Sequence, residues 1–186
     1  MTQVIILQET ELLKPVATTI IPARTEPFDS DEFYSEGRSI SFYQKHSVHK
    51  HRKVDIGTSK ELWDDLVLHS DTLNQAPERS YVSAKLKQKA RDSRICRDLP
   101  EEYLSKVEDV AYFVDSQSWH TKGILLTDGS RNIFYVVNKE GKIFTLMIVA
   151  LYIFGNRQWY FRFWDFDFHD PWILTDQVLI PGTAVL

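Results

Sequence analysis

A single cysteine, Cys96, excludes an intramolecular disulfide and any zinc cluster built on several thiolates, and it fits a reducing compartment. The seven glycines are scattered singly, so neither a phosphate-cradling loop nor a dinucleotide fingerprint exists. No basic stretch followed by a long apolar run opens the chain, so no signal peptide is expected and cytoplasmic residence is the expectation. The longest apolar run, Ile143 to Phe154, would reach only about 18 Å as a helix, short of the roughly 30 Å hydrocarbon core of a bilayer. No membrane association is expected from it. Internal repeats and low-complexity tracts are also missing.

What remains is a chain rich in hydrophobic (43%) and aromatic (13%) residues, enough to bury a core at 186 residues. One domain over 1–186 is expected, with the acidic and aromatic stretch 22–37 as a surface loop or mobile arm. Three turn signals, Asp128-Gly129, Glu140-Gly141 and Gly155-Asn156, punctuate runs of Ile, Val, Phe, Tyr and Trp. They predict strands near 122–127, 131–138, 142–154 and 157–168, followed by a fifth over 172–180. The second apolar-rich run, 143–154, lacks alternation and is expected at the centre of the sheet, covered on both faces.

Three helices are predicted between the halves. Thr58-Ser59-Lys60-Glu61 has the capping-box pattern ahead of Leu62, Leu66, His69 and Leu73. Ser80 to Cys96 is a strongly basic candidate. A third is expected to start at Asp98 and Pro100 and to present Tyr103, Val107, Val110, Ala111 and Val114 as its apolar stripe. Short strands are expected at 3–7, 16–21 and 40–48. The fold class is therefore α+β: an antiparallel meander of about five C-terminal strands packed against three central helices, with short N-terminal strands at an edge.

Charge is uneven. Segments 38–53 and 79–97 together carry +11, which leaves −15 on the remainder of a chain whose net charge is −4. Lys85, Lys87, Lys89, Arg91 and Arg94, with Arg52 and Lys53, form the expected binding surface. A protein partner is the first expectation and nucleic acid the second, since the acidic remainder limits any phosphate footprint.

Candidate chemistry is sparse. Asp165, Asp167 and His169 alternate along one predicted strand face, where two carboxylates and an imidazole would suit a divalent metal. The same pattern follows from ordinary amphipathic alternation. His46, His49 and His51 are possible ligands set among repelling cations. Asp128 and Glu140-Gly141-Lys142 resemble nuclease elements in type only, because an intervening strand holds them at opposite ends of a hairpin. Cys96 lacks a nucleophile-elbow context.

No catalytic residue and no cofactor is assigned on this basis. The leading expectation is a non-catalytic cytoplasmic interaction protein, an adaptor, inhibitor or immunity-like factor that binds another macromolecule through charged and aromatic patches. The alternatives are a metal-dependent hydrolase or nuclease using Asp165, Asp167 and His169, and a small-molecule pocket protein with aromatics such as Trp159, Phe161 and Trp164. The sequence leaves the oligomeric state open.

Overall fold

A computed structural model describes residues 6–25, 44–45, 53–56, 77–99, 102–117, 121–138, 140–153, 156–167 and 170–184. The elements, in chain order, are β1 (Ile6–Leu7), β2 (Leu13–Ile21), β3 (Gln44–Lys45), β4 (Lys53–Ile56), β5 (Arg79–Leu86), α1 (Asp92–Arg97), α2 (Val107–Ser116), β6 (Arg131–Val137), β7 (Ile143–Ile153), β8 (Asn156–Asp165), β9 (Gln177–Pro181) and β10 (Thr183–Ala184). Eight strands make one sheet in the order β2-β5-β9-β6-β7-β8-β4-β3, while β1 and β10 pair separately.

This is not a five-stranded meander laid against three helices. The sheet is mixed, with β9 parallel to β6 and β4 parallel to β8. The described residues contain two helices, one on each face. Among them none is long and apolar enough to cross a membrane. The predicted first helix, 58–73, lies outside the described residues, as does 26–37 of the acidic stretch.

The basic segment 80–96 is the largest departure. Its first half is strand β5, held between β2 and β9. Tyr81 joins the core on the α2 face and Val82, Ala84 and Leu86 the core on the α1 face, so burial on both sides overrides the helical reading of its lysines. Only Asp92–Arg97 is helical, and Asp98 ends that helix instead of starting the next.

Helix α2 begins at Val107, later than predicted, because Ser105 is tied to β6: its N–H donates to the Tyr135 carbonyl at 2.6 Å. Of the predicted stripe, Val107, Val110, Ala111 and Val114 are nonetheless buried, against Phe134, Phe144, Phe161 and Phe163, whereas Tyr103 precedes the helix and packs against the core on the α1 face. Its first turn also grips β5 by polar contacts. Arg79 pairs with Asp109 at 2.6 Å and reaches Glu108 at 3.4 Å, and the Tyr81 hydroxyl donates to the same Asp109 oxygen at 2.8 Å.

The stretch 122–127 forms no strand, although its composition predicts one. Two amide side chains take the hydrogen bonds a ladder would have used. Gln117 accepts from the Leu125 N–H (2.8 Å) and donates to its carbonyl (2.7 Å), and Asn132 treats Leu126 the same way at 2.7 and 3.1 Å. Strands β6, β7 and β8 do lie where the turn signals put them, antiparallel and adjacent, with positive φ at Gly129 and Gly141. The predicted fifth strand shortens to β9 and crosses to the other side of β6, between it and β5.

Candidate ligand groove

Register across β6, β7 and β8 places alternate residues of three strands on one face. Arg131 stands opposite Val149, which stands opposite Tyr160; one rung along, Ile133, Met147 and Arg162 align; the next rung is Tyr135, Thr145 and Trp164. Over this face lies an open groove of about 720 Å³, within the roughly 300–1,000 Å³ usual for ligand pockets. Its floor is aliphatic (Met147, Val149 and Leu151), its walls are Tyr160, Trp164 and Trp172, and its rim carries Arg91, Arg131 and Arg162 with one opposing carboxylate, Asp170.

The aromatics are held in place by more than packing. Trp172 exchanges backbone hydrogen bonds with Ala90 (2.9 and 3.2 Å), and its indole N–H donates to the Asp92 carboxylate at 2.6 Å. Trp164 meets it edge-on with ring centroids 5.8 Å apart. Arg131 lies over the Trp172 ring at 5.5 Å and Arg162 over the Trp164 ring at 5.0 Å. Such contacts hold a guanidinium flat against the wall without removing its charge. Buried Asp176 fixes the Arg131 end: its carboxylate accepts from the Arg131 and Ile173 backbone N–H groups and lies 3.6 Å from the Arg131 guanidinium.

Asp92 is the anchor beneath the groove. It is fully buried, and one carboxylate oxygen accepts from the Tyr135 hydroxyl (3.0 Å) and the Trp172 indole, the other from the Thr145 hydroxyl (2.7 Å) and the Asp167 backbone N–H (3.2 Å). Asp167, at φ 65°, returns the contact by accepting from the Ser93 N–H at 3.1 Å. One carboxylate thus ties α1 to β6, β7, the turn after β8 and the Trp172 segment. Tyr135 is raised well above the usual tyrosine pKa by burial first and by the nearby Asp92 charge second.

The residues of the metal candidate fall on more than one segment. Asp165 ends β8 and pairs with Lys142 at 3.1 Å, whereas Asp167 sits in the following turn and serves the helix start, so the two do not share a strand face. His169 lies outside the described residues, and among those described no cluster of potential metal ligands occurs. His46, His49 and His51 also lie outside them. Asp128 and Glu140 flank β6 at its two ends, as the strand between them requires.

The surroundings of Cys96 disfavour the thiolate. Burial pushes its thiol up to about 12, with hydrogen bonding to Tyr103 opposing. At pH 8 the thiol form predominates. Ellman's reagent at that pH should therefore react with the native protein far more slowly than with the urea-unfolded chain, and equal rates would contradict this environment.

Of the predicted binding residues, Arg91 alone lines the groove. Lys87 is paired with Glu9 at 3.0 Å and Arg94 with Glu11 at 3.2 Å. Lys85 and Lys89 are exposed elsewhere, Lys53 begins β4, and Arg52 lies outside the described residues. Trp159 and Phe161 are fully buried on the opposite face and line no part of it. The missed residues are Arg131, Tyr160, Arg162 and Trp172; an arginine between two aromatics at alternate positions of β8 was the available signal. Compared with protein-family models, curated proteins and solved structures, the chain matches none of them.

Proposed function

We propose that this is a non-catalytic interaction protein that binds another macromolecule, a protein partner, through the groove over β6, β7 and β8. The observation that carries the reading is the meeting of three guanidinium groups with three large aromatics around an aliphatic floor. Arg, Trp and Tyr are the residues that dominate binding energy where proteins meet, and they do so in concave, largely desolvated sites. Anchoring by Asp92 and Asp176 supports it too, because a wall already in its bound conformation loses less entropy on association. The basic surface near Lys87 and Arg94 contributes less, since those two side chains already hold carboxylates of the same chain.

The test is affinity capture from native extract with Arg162→Glu, Trp164→Ala and Lys89→Glu. The first two should reduce recovery of the captured partner at least tenfold while the third leaves it intact. Equal recovery with all three would rule out the groove as the binding surface.

A further inference from the structure

We infer that the occupant of the groove is an acidic peptide segment with an apolar anchor, two carboxylates flanking one aromatic or branched side chain. This rests on the groove being the binding surface. Charge complementarity is the first argument: Arg131 is balanced by the buried Asp176 beneath it, and Arg91 and Arg162 against Asp170 still leave the rim net cationic within a chain that is net −4 overall.

Spacing is the second. Arg131 and Arg162 stand on neighbouring rungs and two strands apart, with Val149 and Met147 between. Two inter-strand steps and a two-residue offset separate their Cα atoms by about 12 Å. An extended peptide separates residues four apart by about 13 Å, so carboxylates at such positions reach both guanidinia while the side chain midway points at the aliphatic floor.

The third argument is what the aromatics are already doing. A face of Trp164 is taken by Arg162 and one of Trp172 by Arg131, and the two indoles meet edge to face. Single-stranded nucleic acid depends on open ring faces for base stacking and on a continuous cationic track. Here the rings serve as guanidinium supports, the floor carries aliphatic side chains, and Asp170 interrupts the cationic rim.

The test uses the full chain and a blocked synthetic peptide, Ala-Glu-Ala-Phe-Ala-Glu-Ala, titrated by calorimetry and tryptophan fluorescence. Saturable binding is expected, weakened at least tenfold when both glutamates become glutamine, when phenylalanine becomes alanine, or when Arg162 is replaced in Arg162→Glu. Binding indifferent to those changes, or no binding, overturns the peptide assignment. Tighter binding of an oligothymidylate that displaces the peptide also overturns it, in favour of nucleic acid. If Arg162→Glu abolishes capture from extract yet the peptide fails to bind, the groove stands as the binding surface and this ligand class falls. If neither measurement responds to Arg162, both are wrong.

Discussion

Asp92→Ala should destabilise the protein by about 4 kcal/mol, because four donors lose a charged acceptor at once in a site closed to water. Each hydrogen bond to a charged group contributes about 1.5–3 kcal/mol, and leaving a buried donor unpaired costs a comparable amount. The four losses will not simply add, since the side chains share one acceptor and relax together. For a chain of this size the loss corresponds to a fall in melting temperature of about 10 °C. Asp92→Asn, which retains one acceptor oxygen and nearly the same volume, should lose about half as much. Urea unfolding followed by far-UV circular dichroism measures the difference. The near-UV signal should also weaken, because Trp172 loses the contact that fixes its indole. A shift under about 1 kcal/mol for the alanine variant would mean that the carboxylate is not the anchor described.

Acidification from pH 7 to 4.5 should stabilise the wild type relative to Asp109→Asn by about 2 kcal/mol, against the usual direction of acid unfolding. Burial raises the Asp109 carboxyl from the ordinary 3.8 to about 6, outweighing the opposing pull of Arg79, Tyr81 and Arg24, while neighbouring Glu108 adds to the rise. The folded protein therefore holds this proton more tightly than the unfolded chain does. The contribution is complete below about pH 4 and disappears as pH rises through about 6. Subtracting the asparagine variant removes the titration of every other group that behaves alike in both proteins. Chemical denaturation at half-unit pH steps gives the curve. A difference that is flat, or that grows with pH, would place the proton balance of this buried cluster the other way.

The sheet's middle was legible because its signals are local. Gly129 and Gly141 adopt the positive φ that their turn positions predict, and Ile143–Ile153 of the apolar run forms a strand with neighbours on both sides. The stripe of α2 was legible for the same reason. Segment 80–86 was not, since its lysines suggest a helical surface whereas its placement between β2 and β9 is settled by partners distant in the chain. The groove was still less accessible. Arg91, Arg131, Arg162 and Trp172 come from four separate segments, and only the pairing register brings them to one face. On β8 alone, Tyr160, Arg162 and Trp164 alternate visibly, but nothing local distinguishes a ligand-facing row from a packing one.

Strand β9 sets an order on assembly during synthesis. It is the strip that joins the β2–β5 pair to the β6–β7–β8 block, and it leaves the ribosome after all of them. Until it emerges, β5 and β6 each present an open edge, and the two blocks have no shared backbone hydrogen bonds to align them. The finished sheet consequently waits on the last of these strands and on widely separated contacts, slow by the usual dependence of rate on topology. During that interval the nascent chain is most exposed to pairing with a neighbouring copy, so slower elongation beyond β8 would lengthen the hazard instead of relieving it.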